Sequence, residues 1–338
     1  MQSNIRKIQS SVRALMTFCV FATILSATSS SAHAQTQIYP VKTIRFVVPS
    51  SPGAPPDVFG RKVAEGMAPK LGATIIIDNK PGASGLLGTT EVAKAPPDGY
   101  TVLVANRDPL TSSIAILKTA PPYDPLKDFT FVTKLVKGGP ALVAHPSYKP
   151  STLQEIIAST KASGPIDYAT FGIGSFPHYT MEALAQRTGA QFRPVHYRSV
   201  PQAVQAVIQN EVTLGFADPK LTAPMITEGK LKAIAVLGDN RAAALPAIPT
   251  FVEAGMDGFI FRDLNWIGIV VPAGTPRQIV DKLADAARAT MAEAAMRSYF
   301  SDFGLEVVAD KPDDFEKDFK IQHAEIAKII KELGITAE

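Results

Sequence analysis

A chain of 338 residues can form two ordinary domains, or one large one, around a sizeable core. Apolar residues make up 46% and charged residues 19%, the balance of a soluble globular protein, and the formal net charge is only +3. That charge excludes no class outright, but it offers no basic patch for a nucleic acid or an anionic membrane.

Arg6, Lys7 and Arg13 precede the apolar run Ala14–Ala27, and a Ser-rich stretch then ends in Ala-His-Ala before Gln35. This pattern predicts an export signal over residues 1–34, cleaved after Ala34, with the mature protein in the periplasm. The apolar run is shorter than the roughly 18 residues that a membrane span needs. Three of the 34 basic residues lie in this segment and none of the 31 acidic ones, so the remainder balances at 31 of each. The only cysteine, Cys19, also lies there, so the mature chain must hold itself together by its core, without disulfides.

From Gln35 onward, short β-branched apolar runs alternate with helical stretches. Strands are predicted over 43–49, 74–79, 101–106, 140–146, 166–172, 213–218, 231–238 and 266–272. Helices are predicted near 57–70, 84–94, 109–117, 151–162, 178–188, 201–209, 223–229 and 276–297. This alternation predicts an α/β protein with mainly parallel sheets flanked by helices. A last helix places Phe315, Phe319, Ile326, Ile330 and Leu333 on one face and docks by it. The apolar segment 131–147 is interrupted by Gly138-Gly139-Pro140, and 261–276 offers a return crossing. Two crossings predict a clamshell: one lobe of 35–139 plus 264–338, a second of 140–263, and a ligand cleft between them, with hinges near Gly138–Pro140 and Leu264–Trp266.

Catalytic signatures are mostly absent. In "GIGSFPH" (172–178) the serine does not sit between two glycines as a nucleophile elbow requires, and Pro177 stands where a dinucleotide fingerprint needs glycine. The mature histidines are scattered, and His178 with Glu182 is the only i,i+4 pair of ligand type that includes one. No metal and no cofactor is expected.

What recurs is a strand, a short polar or glycine loop, then a helix start. It appears at "PSSPGAPPD" (49–57), at "ANRDPL" (105–110) with Asn106, Arg107 and Asp108, at "TFGIGSFPH" (170–178), and at "FADPKLTAP" (216–224). Such loops gather outside the carboxyl ends of strands, where N–H groups, hydroxyls and helix dipoles suit a carboxylate. Arg107 and Arg198, in or near these loops, offer the planar fork that grips a carboxylate with two bonds. Phe176 is a pocket candidate; Phe171 reads as core and Trp266 as either pocket wall or hinge packing.

With these residues in view, the chain resembles the Bug family, periplasmic solute-binding proteins of tripartite tricarboxylate transporters. The resemblance runs from about Tyr39 to the C-terminus through "YPVKTIRFVVPSSPGAPPDV", "IIIDNKPGASG", "VAKAPPDGYTVLVAN", "PYDPLKDFTFV", "ALVAHPS", "ATFGIGSFPH", "ALPAIPTFVEAG" and "WIGIVVPAGTP". It implies a two-lobed binding protein, acting as a monomer, that closes on a small carboxylate and delivers it to integral membrane permease subunits. Carried over by motif, the ligand loops are Ser51, Pro52, Gly53 and Ala54, then Gly174 and Ser175 with His178 nearby, with Asn106, Arg107 and Asp218 contributing. Two departures stand out. The first loop in the family usually reads Ala-Gly-Gly-Gly-Thr-Asp where this chain has Pro-Gly-Ala-Pro-Pro-Asp, and the position of Arg107 more often holds a small hydroxyl residue. The expectation drawn from both is that Arg107 supplies the donors missing at Pro55 and Pro56.

Phe176 and Arg107 favour an aromatic carboxylate over an aliphatic di- or tricarboxylate. Two other functions share this sequence: a ligand sensor presenting its closed form to a receptor kinase, and a periplasmic hydrolase using Ser175, His178 and Asp218. The hydrolase is disfavoured by the three-residue spacing of Ser175 and His178.

Overall fold

The computed structural model describes residues 39–262 and 265–337. The expected export signal, Cys19 and Leu264 of the expected return hinge lie outside the described residues. In chain order the strands are β1 (Ile44–Val48), β2 (Ile75–Asn79), β3 (Thr101–Asn106), β4 (Phe129–Gly138), β5 (Ala141–Ala144), β6 (Ile166–Thr170), β7 (Phe192–His196), β8 (Leu214–Ala217), β9 (Lys232–Val236), β10 (Asn265–Pro272) and β11 (Glu306–Val307). The helices are α1 (Pro55–Leu71), α2 (Leu86–Ala93), α3 (Arg107–Leu110), α4 (Ser112–Ala115), α5 (Leu153–Ser163), α6 (Phe176–Thr188), α7 (Val200–Ile208), α8 (Pro219–Thr227), α9 (Phe259–Arg262), α10 (Arg277–Met291), α11 (Ala294–Asp302) and α12 (Pro312–Glu332).

The strands form two open sheets, ordered β11-β4-β10-β3-β1-β2 and β7-β6-β8-β5-β9. Both are mixed rather than mainly parallel. The βαβ pairs β1–β2, β1–β3, β6–β7 and β6–β8 are parallel, but β10 runs antiparallel to β3 and β4, and β5 antiparallel to β8 and β9. β5 and β10 are the strands by which the chain enters each lobe, and each enters its sheet from the opposite end to its βαβ neighbours; the short β11 is also antiparallel, to β4. The crossings lie side by side, since Asn265 at the start of β10 pairs with Gly138 at the end of β4. At this junction a Cβ on Gly139 would meet the carbonyl oxygen of Leu237, just after β9, at 1.8 Å, so only glycine lets these two segments pass this closely.

Each sheet carries its own core. Val47, Leu103, Phe131, Trp266, Phe315 and Phe319 pack on the first; Leu142, Tyr168, Tyr179, Phe216 and Phe251 pack on the second. The C-terminal helix α12 belongs to both: Phe315 and Phe319 join the first core, whereas Ile326 and Ile330 join the second. A division that assigns all of 264–338 to the first lobe misses this.

Three strands escape the sequence reading. β4 reads as a crossing segment because it is long and contains two lysines, yet it lies inside the first sheet. β7 contains Pro194, which fits because β7 is an edge strand. β11 has only two residues. Four helices also begin earlier than expected. Pro177 and Pro219, which look like loop residues, occupy the first helical turn, as Pro55, Pro56 and Pro201 do, where their missing N–H has no helical partner.

Candidate functional site

A cleft of about 590 Å³ lies between the sheets. Its walls are the loops that leave the carboxyl ends of β1, β2, β3, β6 and β7, with Asn265 and Ile267 of β10 at its back. Between Pro55, Phe171, Phe176 and Val200 the cleft continues into an annex of about 90 Å³ bounded by Phe216, Trp266 and Asp218. Phe171, Phe176 and Phe216 form an edge-to-face row, with centroids 5.1 and 5.6 Å apart, that serves as an apolar wall.

The first loop offers fewer backbone donors than its layout promises. Pro55 and Pro56 have none. The Gly53 N–H donates to Oδ2 of Asp57 at 2.9 Å, and the Ala54 N–H to the Ser51 carbonyl at 3.1 Å. Burial alone would raise the Asp57 carboxyl, but bonds from Arg61, the Gly53 N–H and Asn79 hold it below the usual range. Hydroxyls remain. Ser50 lines the cleft, and its Oγ is buried with no hydrogen-bond partner among the described residues.

From the second lobe, Arg198 reaches the cleft at the end of β7. Its backbone N–H bonds Gln202, and its exposed guanidinium makes no ion pair among the described residues. Beside it Ser199 caps α7 by accepting the Gln202 N–H at 3.4 Å. The cleft therefore offers one available cation, Arg198, while the N–H groups at the helix starts around it are held by Asp108 and Ser199 or are missing at prolines, and a guanidinium is a group that suits a carboxylate.

Asp108 spans the lobes. Its Oδ2 accepts the Phe176 N–H at the start of α6 at 3.0 Å. Burial pushes this carboxyl above the usual range, while the Arg107 charge and the Phe176 N–H pull the other way. Arg107 is not among the lining residues. Its guanidinium is buried, bonded to the Tyr179 hydroxyl and 6.0 Å from that ring's centroid, so the expectation that it replaces donors in the first loop is not met. The single turn of α3 directs this side chain toward α6 instead of the cleft.

Seven of the expected residues line the cleft: Ser51, Ala54, Asn106, Asp108, Ser175, Phe176 and Arg198. Asp218 lines the annex and caps α8, accepting the Lys220 and Leu221 N–H groups. Pro52, Gly53, Gly174 and His178 join Arg107 outside the lining. Gly174 donates its N–H to Nδ1 of His178 at 3.2 Å, and the His178 ring packs 5.3 Å from that of His196. Burial, with His196 beside it, pushes the His178 imidazole down to about 4. The Ser175 hydroxyl donates to the Gly172 carbonyl at 2.7 Å. Both partners of the conceivable triad thus direct their bonds elsewhere.

The sequence reading missed Ser50, the Pro81–Gly85 turn, Tyr197, Ser199 and Asn265. The turn repeats the strand–loop–helix signature after β2 and was legible there. Within it Ala83 and Ser84 adopt left-handed φ of 48° and 53°, and Ser84 faces Gly172 of the other lobe, where a Cβ would come within 2.7 Å of its Oγ. Phe171, read as core, lines cleft and annex while also packing against the second core.

The sequence matches the family model described as "Tripartite tricarboxylate transporter family receptor" over residues 59–335. A curated relative, a UPF0065 protein of Bordetella pertussis, is 32% identical over 91% of this chain and 94% of its own length. Among solved structures, the periplasmic binding protein BugD superposes with a TM-score of 0.81 at 31% identity, covering 89% of this chain and all of that one. MatC from Rhodopseudomonas palustris, with bound malate, superposes with a TM-score of 0.79 at 28% identity, covering 86% of this chain and 100% of that one.

Proposed function

The chain belongs to the tripartite tricarboxylate transporter receptor family, and from that premise we propose that it binds a small carboxylate in the periplasm and delivers it to the membrane permease of such a transporter. It is a two-lobed solute-binding receptor of the Bug type. The observation that carries the carboxylate reading is Arg198, an exposed residue that lines the cleft and makes no ion pair among the described residues. Ser199, beside Arg198 in the lining, caps the start of α7 and fixes the segment that carries the cation. The malate held by MatC supports an acid as the ligand class. The phenylalanine row favours an acid with an apolar body, aromatic rather than a short di- or tricarboxylate. Closure brings the lobe of residues 35–139 plus 264–338, whose last helix also seats Ile326 and Ile330 in the other core, against that of 140–263, about the paired crossings at Gly138 and Asn265.

The test is a thermal-shift screen of the mature protein against aromatic and aliphatic acids, followed by calorimetry. A ligand at a hundred times its Kd raises stability by about 2.7 kcal/mol. Arg198→Ala weakens the best acid by about tenfold or more, because a charge-assisted bond contributes roughly 1.5–3 kcal/mol. Ser50→Ala leaves the free protein as stable or more so, since the hydroxyl it removes is buried and unsatisfied. A flat thermal response across the panel, or an Arg198→Ala protein that binds as the wild type does, sinks the reading.

A further inference from the structure

The annex is lined almost wholly by apolar groups, and the two polar side chains on its wall are Asp218 and Asn265. Asp218 has divided its carboxylate. Oδ1 accepts the N–H groups of Lys220 at 3.0 Å and Leu221 at 3.4 Å, whereas Oδ2 makes no hydrogen bond among the described residues. Asn265 is divided in the same way: Oδ1 accepts its neighbour's N–H from Trp266 at 3.0 Å, and Nδ2 makes no hydrogen bond among the described residues. One acceptor and one donor on the wall of a small apolar space are therefore left without a partner among the described residues.

That space shares Pro55, Phe171, Phe176 and Val200 with the main cleft, so a ligand held by its carboxylate at Arg198 extends its far end into the annex. Three kinds of far end can be compared. A bare apolar end would cover Oδ2 of Asp218 and leave it desolvated without a partner. A second carboxylate would meet the Asp218 charge in a poorly hydrated space, where like charges are strongly unfavourable. A hydroxyl or amino group would donate to Oδ2, and a hydroxyl could also accept from Nδ2 of Asn265.

We propose that the annex is a second recognition subsite in which Asp218 accepts a hydrogen bond from a hydroxyl or amino group at the end of the ligand remote from its carboxylate, which makes hydroxy- and amino-substituted monocarboxylates the ligand class and disfavours dicarboxylates. The proposal rests on the carboxylate reading above and narrows it. The charge on Asp218 persists at neutral pH, because burial pushes its carboxyl up only to about 6.

Calorimetry on wild type, Asp218→Asn and Arg198→Ala tests it, with para-hydroxybenzoate, para-aminobenzoate, benzoate and terephthalate as aromatic probes, and omega-hydroxyhexanoate and adipate as an aliphatic pair. In the wild type the hydroxy or amino acid binds about tenfold or more tightly than the matching diacid, since sites built around a hydrogen bond discriminate strongly against ligands that cannot make it. Asp218→Asn keeps the helix cap, because asparagine caps as well as aspartate, and it narrows that ratio by admitting the diacid. A wild type that prefers the diacid, or a ratio unchanged by Asp218→Asn, overturns the proposal. Acids that bind through Arg198 without regard to Asp218 sink this proposal alone; no binding of any of these acids sinks the carboxylate reading with it.

Discussion

Asp218 and His178 show how burial changes the meaning of a titratable residue. Asp218 keeps its proton up to about pH 6, well above its usual value of 3.8. The folded state therefore holds the proton more tightly than the unfolded state does. The stability this contributes is complete below about pH 3.8 and is lost as pH rises through about 6. Asp218→Asn removes the charge and keeps the cap, so at neutral pH it should stabilise the protein, by at most about 3 kcal/mol for a shift of roughly two units. Urea midpoints at neutral pH and near pH 4 check this: the advantage is present in the first and gone in the second. His178 works in the opposite sense. Its imidazole titrates at about 4 rather than 6.5, so its stabilisation is present above 6.5 and is lost as pH falls through about 4. The two groups oppose each other between these values, and a wild-type pH profile alone would hide both.

Among the elements, the junction of β4 and β5 and the starts of the cleft helices decide the geometry. Gly139 has an ordinary φ; what forbids a side chain is the Leu237 carbonyl, 1.8 Å from where a Cβ would stand. Gly139→Ala must push the β4–β5 junction away from the Leu237 backbone that follows β9. Overpacking of this kind typically costs about 1–3 kcal/mol, and displacement at the hinge should also weaken ligand binding. Measured stability and affinity both equal to wild type would contradict this. Asp108 belongs to the same scale, because it couples the segment after β3 to the first turn of α6. Helix and strand existence were largely legible, from Phe46 and Val47 in β1 to Val270 in β10. Helix starts were not, because Pro55, Pro177 and Pro219 signal a loop in one context and a first turn in another, and the difference lies in the backbone that follows.

For the molecule as a whole, α12 is the tie between lobes. Phe315 and Phe319 sit in one core and Ile326 and Ile330 in the other, so the helix cannot leave one without disturbing its seat in the other. The free protein should therefore unfold in a single calorimetric transition. Ile326→Ala should lower its stability by about 2–5 kcal/mol, as loss of a buried isoleucine does. Two separate wild-type transitions would show that α12 does not couple the lobes. Local pattern was enough to dictate the alternation of strands and helices, the gathering of polar loops at strand ends, and the family motifs that imply a two-lobed carboxylate receptor. Periodicity and turn chemistry set all of these within a few residues of chain. Which loop side chains face the cleft was settled elsewhere, by packing between distant segments. Arg107 and Arg198 are equivalent candidates in sequence. Arg107 is drawn into the interior by Tyr179, 72 residues away in the opposite lobe, while Arg198 meets no such partner and stays in the cleft. The first loop followed the same logic. The Gly53 N–H is held by Asp57 and the Ala54 N–H by the Ser51 carbonyl, so the donors this loop seems to offer are spent within it. Orientation of this kind depends on long-range contacts, which no spacing along the chain records.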